Sequence, residues 1–160
     1  MDTPVYLDSA QANSVVPDFV QRRYGIEIAG LNLLLPQGVS AELLHDQSIT
    51  RIVLAPPVLR GVANVRGVLM PVFDFSQLIS NSSSKAQQVL MLGQFPNALG
   101  LLVNGFPLPV TDLQPLETMV LPEILRPYFS AAWQQQGKNW CEIDILGLFR
   151  DLAARTAYKE

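Results

Sequence analysis

Alternation of apolar and polar residues starts abruptly near Arg22. Residues 1–20, MDTPVYLDSAQANSVVPDFV, hold no sustained period and read as an N-terminal arm, in which Val15 to Val20 form a short apolar stretch suited to docking. YGIEI, the turn AG and LNLLLP then predict a β-hairpin, and a turn at PQG leads into VSAELL. Residues 45–60, HDQSITRIVLAPPVLR, read as a long connection, because Pro56-Pro57 forbids regular helix or central strand. VLMPVFDF is a buried strand by its continuous β-rich apolar character, with Pro71 marking an edge or a bulge. SQLI suits one helical turn, and SNSSSKAQQ (80–88) is a flexible loop.

VLMLGQ and ALGLLVNGFPLPV form a second hairpin-like pair, and LQPLETMVLPEILRP is Pro-punctuated and irregular. FSAAWQQQ and NWCEIDI are two strands joined by a turn at Gly137. ILGLFRDLAARTAYKE closes the chain as an amphipathic helix, its apolar Ile145, Leu148, Phe149, Leu152 and Ala153 stepping by three and one, with Asp144 placed as N-cap.

The pattern also repeats. GVLMPVFDFSQLI (67–79) matches GKNWCEIDILGLF (137–149) at a shift of 70, pairing Gly67 with Gly137, Asp74 with Asp144 and Leu78 with Leu148. LLLPQGV (33–39) matches GLLVNGF (100–106) at a shift of 67. Two echoes in the same order predict two similar small β-units. Units of about 65 residues are marginal alone, so a shared core is expected.

Composition narrows the class. The 160 residues are 49% hydrophobic and only 16% charged, which suits a well-buried β-rich domain with some apolar surface kept for partners. A net charge of −3 without a basic stripe argues against nucleic acid. No apolar run approaches the ~18 residues that span a bilayer, and the N-terminus lacks the pattern of a secretory signal. A single cysteine excludes an internal disulfide, and a reducing cytoplasm is the simplest compartment.

Little of the sequence suggests catalysis. His45 stands beside Asp46, but no serine or cysteine has a recognisable nucleophile elbow. Cys141 reads as a small buried hydrophobe, and no cluster has metal-ligand spacing. Asp74 and Asp144 suit caps or turns better than an acid–base pair. Arg66, inside GVANVRGVLMPVFD (61–74), is the anomaly: a cation in an apolar run needs a carboxylate. Arginine takes one by two parallel hydrogen bonds. Glu27 and Glu42 are the upstream candidates. Glu42, itself in the apolar AELL, is favoured. Whether such a pair fixes the fold or meets a partner stays open at this point.

The segment LAPPVLRGVANVRGVLMPVFDFSQLI (54–79) resembles the signature of CheW-like domains. That signature has a Pro-rich lead-in, then R/K-G-V-x-N-x-R-G, then an apolar strand ending in V-x-D-L. Pro57, Gly61, Val62, Asn64, Arg66, Gly67, Pro71, Val72 and Asp74 fall into its positions. YGIEIAGLNLLLPQGVSAEL (24–43) is similar to the family's opening strands, and ALGLLVNGFPLPV (98–110) to the strand that opens its second half, where Asn104 replaces the family's Asp. The likeness covers about residues 22–152. It divides the chain into an arm (1–21), a CheW-like domain (22–155) and a tail (156–160).

The resemblance implies a mainly β fold of two intertwined five-stranded SH3-like β-barrels sharing a hydrophobic core, with a short C-terminal helix. It implies a non-enzymatic adaptor without cofactors, located in the cytoplasm at membrane-bound receptor arrays. Its implied partners are the regulatory domain of a CheA-type histidine kinase and the cytoplasmic tip of a methyl-accepting chemoreceptor, with no nucleic acid and no membrane insertion. The family's partner-binding roles carry to Arg66 and Glu42 only; Val62 and Asn64 beside them complete the candidate partner-binding set, and Gly61, Gly67 and Asp74 are the structural turn and motif residues. GVANVRG with LMPVFD also resembles the adaptors of pilus chemosensory systems that serve twitching motility. The competing readings are a β-barrel enclosing a small ligand, and a hydrolase using Asp74, Asp144 or His45.

Overall fold

The computed structural model describes residues 23–86 and 88–158. The expected arm, residues 1–21, lies outside the described residues, as do 159–160 at the end of the expected tail. Twelve strands make two six-stranded sheets. The first contains β1 (Arg23–Ile28), β2 (Leu31–Leu34), β9 (Leu108–Val110), β10 (Gln114–Leu116), β11 (Phe129–Gln135) and β12 (Lys138–Ile143), in the order β10-β11-β12-β2-β1-β9. The second contains β3 (Ala41–Leu44), β4 (Ile49–Thr50), β5 (Leu59–Val65), β6 (Val68–Phe73), β7 (Gln88–Leu92) and β8 (Leu99–Val103), in the order β3-β7-β8-β6-β5-β4. Helix α1 is the single turn Ser76–Ile79, a 3-10 segment covers Glu123–Tyr128, and helix α2 runs from Ile145 to Tyr158.

The two sheets have one topology used twice. Each joins an antiparallel pair (β1–β2 or β7–β8) to four strands (β9–β12 or β3–β6): three follow one parallel contact, β2–β12 or β8–β6, and the fourth, β9 or β3, pairs antiparallel with the far side, β1 or β7. The pair and the four strands of any one sheet come from different halves of the chain. The shift of 70 survives in detail. Arg66-Gly67 and Gln136-Gly137 are matching two-residue turns with positive φ throughout. Asp74 N–H donates to Val58 O, and Asp144 N–H to Tyr128 O, both at 2.8 Å. Bulges fall at Leu59/Gly61 and at Phe129/Ala131, bending both long hairpins at the same place.

The closed five-stranded barrels are not what the chain forms. Each sheet has six strands and both are open. Closure would need β3 to pair with β4 and β9 with β10, and neither pairing exists. The edge strands are too short to complete a ladder: β4 has two residues, and β9 and β10 have three each. These three elements escape the periodicity because two or three residues carry no period.

The sheets pack face to face across one core. Ile26, Leu33 and Ile143 from the first meet Phe73, Leu90 and Leu101 from the second, and α2 seals the joint with Leu148 and Phe149. The Phe149 ring stacks on Phe73 at 4.4 Å and meets Phe75 edge-on at 6.1 Å. A second cluster, including Val65, Met70, Val72, Val89 and Leu102, fills the concave side of the second sheet. Pro71 pairs with Val62 on β5, and the contact with β8 begins only at Val72. An interior strand therefore accommodates the residue that lacks an N–H donor.

Candidate partner-binding site

GVANVRG is a strand and a turn. β5 contributes Gly61 to Val65, and Arg66-Gly67 turns the chain into β6. Both turn residues are left-handed, with φ of 51° and 89°, as a two-residue hairpin turn of this hand requires. An arginine there forgoes about 1 kcal/mol of backbone preference. Asn64 Oδ1 offsets this by accepting the Gly67 N–H at 2.9 Å, while the Asn64 carbonyl accepts from Gln47 Nε2 at 3.1 Å.

From this tip Arg66 reaches Glu42 on β3. Nη1 donates to Oε2 at 3.3 Å and Nη2 to Oε1 at 3.2 Å, a two-pronged contact. β7 and β8 lie between β3 and β6, so a flat sheet would hold β3 and β6 about 14 Å apart. The pair forms because the sheet curls, and it bridges the mouth of the concave face. The expected partner is therefore correct, but burial is not the reason for it. The Arg66 and Glu42 side chains are 62% and 48% exposed. The Glu42 hydrogen bond, then its charge, hold the Arg66 guanidinium pKa above its ordinary value.

Val62 and Asn64 face outward from β5, with Pro71 and Leu69 directly opposite on β6. Val62 is half-buried, Asn64 is exposed, and Leu69 is 67% exposed. Sequence patterning passes over Leu69 because it sits in a run that reads as wholly buried. The structure thus brings Glu42, Asn64 and Arg66 to one end of the second sheet, with Val62 further along β5.

The structural positions are differently occupied. Gly61 has φ of 155°, and a Cβ there would collide with the Thr50 carbonyl oxygen on β4. Asp74 is 1% exposed and fully engaged. Its Oδ2 accepts from Arg60 Nη2 and Ser84 N–H, both at 2.8 Å, and its Oδ1 from Ser76 N–H at 3.1 Å. It ties β5, α1 and the loop before β7 together. Asp144 is exposed and accepts the Gly147 N–H at 3.0 Å, which caps α2.

Among the described residues the buried cation is Arg23, which patterning passes over because it opens β1. Its Nη1 donates to Glu142 Oε1 and its Nη2 to Leu35 O, each at 3.1 Å. Trp133 Nε1 also donates to Glu142 Oε1, at 2.6 Å. Burial alone would raise the Glu142 pKa, but the bonds from Arg23 and Trp133 outweigh it and hold the carboxyl below its usual range. Burial pushes the Cys141 thiol up to about 11, the behaviour of a packing residue.

The rival chemistries lose their geometry. His45 packs on Phe106, ring centres 5.9 Å apart, and lines a cleft of about 450 Å³ that neither Asp74 nor Asp144 lines. A ligand-enclosing barrel has no closed wall, and the concave face of the second sheet is filled with side chains. Among the described residues no helix is long and apolar enough to cross a membrane.

Residues 24–153 match the family model described as CheW-like domain. Over 111 residues the chain is 30% identical to "Protein PilI" of Pseudomonas aeruginosa, a match that covers 62% of this chain and 62% of that relative. The chain thus spans less than two thirds of that relative's length. Its fold is similar to that of the scaffolding protein TtCheW from Thermoanaerobacter tengcongensis, with a TM-score of 0.63 at 19% identity, covering 81% of this chain and 92% of that one. The matching hairpins, the crossed assembly of two like sheets and the family model lead to one conclusion: the chain belongs to the CheW-like domain family.

Proposed function

We propose that this protein couples the cytoplasmic tip of a methyl-accepting chemoreceptor to the regulatory domain of a CheA-type histidine kinase. It does so within a cytoplasmic array at the membrane, and the system it serves is a pilus-based one. The observation that carries this reading is the exposed Arg66–Glu42 pair at the β5–β6 tip. Exposed ion pairs add little to stability. A strained arginine held in a two-pronged contact at the surface has more to offer a partner, where it is desolvated and read as a fixed charge pattern. Asn64 fixes the turn, and Val62 and Leu69 give it an apolar border. The pilus assignment draws on the GVANVRG-to-LMPVFD resemblance and on the likeness to Protein PilI.

Arg66→Ala tests the site. The expected result is at least about a tenfold weaker association with the kinase regulatory domain or with the receptor fragment, read by calorimetric titration, because truncating a central interface arginine has effects of that size. The melting temperature should stay at the wild-type value. Unchanged affinity for both partners, or a collapsed melting temperature, would remove the site assignment.

A further inference from the structure

Two connections carry the chain from one sheet to the other at the same point of the repeat. β2 of the first sheet passes to β3 of the second through a turn at Gln37-Gly38, and β8 of the second passes to β9 of the first through Asn104-Gly105. Gln37 and Asn104 correspond at the shift of 67, as do the glycines after them. Both side chains are exposed. Both glycines have positive φ, 76° at Gly38 and 111° at Gly105, and a Cβ on either would meet nothing within 4 Å. No packed neighbour therefore resists a rotation of the backbone there.

The crossings differ by one methylene, and that decides their reactivity. Asparagine and glutamine are thermolabile because the backbone nitrogen of the next residue can attack the carboxamide carbon. From asparagine this closes a five-membered succinimide. From glutamine the ring is one atom larger and closes far more slowly. A side chain on the next residue obstructs the approach, and glycine has none. Asn104 is the only asparagine that precedes a glycine; Asn97, exposed in the neighbouring β7–β8 turn, precedes Ala98.

The attacking nitrogen is held in this fold. Gly105 N–H donates to Gln88 Oε1 at 2.9 Å. Gln88 opens β7 and pairs with Val103, the residue before Asn104. Attack requires the Gly105 N–H to give up its proton to solvent and its peptide to turn toward Asn104 Cγ. The Gln88 carboxamide occupies that N–H and fixes the peptide plane, so this bond must break first.

We propose that Asn104 is a site of spontaneous deamidation whose rate is set by Gln88. Gly105 N loses its proton to solvent and bonds to Asn104 Cγ, the Cγ–Nδ2 bond breaks, and ammonia leaves. Water then opens the succinimide at either carbonyl, giving aspartate or isoaspartate. Either product places a carboxylate in the cleft of about 470 Å³ that Glu27 and Lys138 also line. Isoaspartate also lengthens the backbone by one atom between β8 and the three-residue β9, which is held to β1 by three residue pairs. One crossing between the sheets thus changes as the protein ages, and its repeat counterpart at Gln37-Gly38 does not. The proposal does not depend on the kinase and receptor reading.

The test is peptide mapping by mass spectrometry on the full chain, kept folded at mildly alkaline pH, with electron-transfer fragmentation separating isoaspartate from aspartate. Asn104 should convert while Asn97 and Gln37 stay intact. Gln88→Ala should convert about fivefold faster at Asn104, the factor that corresponds to losing one hydrogen bond of ordinary strength. Gln88→Glu keeps an acceptor for the Gly105 N–H and should convert at the wild-type rate. Asn97 serves as the control for a loosened fold: a rise in Gln88→Ala that Asn97 shares would overturn the role of Gln88. Equal rates at Asn104 in Gln88→Ala and wild type would do the same. An Asn104 that stays intact for as long as Asn97 does would overturn the site itself.

Discussion

Asp74→Ala is expected to cost about 3–5 kcal/mol of folding stability, the loss that follows when one member of a buried ion pair is removed. The substitution strips the partner from Arg60 and leaves the N–H groups of Ser76 and Ser84 without their acceptor. For a domain whose total stability is about 5–15 kcal/mol, that is a large share. Arg60 is 20% exposed, so it can turn to water, and Arg60→Ala should cost less than Asp74→Ala. The repeat gives a sharper comparison. Asp144 occupies the matching position, but it is exposed and its carboxylate serves the Gly147 N–H. Asp144→Ala should therefore cost only about 1 kcal/mol, the loss of a helix cap. Urea denaturation of the three variants measures all of this. Equal losses at Asp74 and Asp144 would contradict the assignment of Asp74 as the buried junction of β5, α1 and the following loop.

Gly61→Ala should be the next most damaging, at about 2–4 kcal/mol, through strain and through the displaced strand. Any Cβ at Gly61 meets the Thr50 carbonyl oxygen, so β4 must move away from β5, and the two-residue β4 has little to hold it. Gly67 is the control. Its φ is 89°, but a Cβ there would meet nothing within 4 Å, so Gly67→Ala carries only the backbone penalty of about 1–2 kcal/mol. Thermal melts separate the two. A Gly61→Ala protein no less stable than Gly67→Ala would show that the β4 contact is slack. The matching residue in the second half is Ala131, so the glycine belongs to this one crossing and not to the bulge itself.

The fold is legible wherever a signal runs long enough to have a period. The hairpins, α2 and the shift of 70 follow from alternation, from helical spacing and from glycines after left-handed turn residues. β4, β9 and β10 are not legible, since two or three residues carry no alternation. The closed barrels came from the family resemblance, and the unpaired edges of β3, β4, β9 and β10 replace them with two open six-stranded sheets. GVANV does not read as a strand because its glycine and asparagine look like loop residues. Its partner β6, and the crossing by β4, are what make it one.

The site shows the same division. The Glu42–Arg66 pairing follows from charge matching, yet the premise that both are buried is mistaken. Arg66 sits at a turn, where an apolar run ends, and the sequence has no marker for the reversal except the glycine after it. Arg23 and Glu142, a pair far less exposed than Arg66–Glu42, lie 119 residues apart in sequence. Nothing local joins them; only the placing of β2 between β1 and β12 does.

Whether one molecule joins a receptor to a kinase is measured most directly by co-sedimentation. A membrane-tethered receptor signalling fragment is spun down with the kinase regulatory domain, with and without this protein. The regulatory domain should sediment with the receptor only when the protein is present, and Arg66→Ala should reduce its recovery. Recovery that is the same with and without the protein would contradict the coupling role.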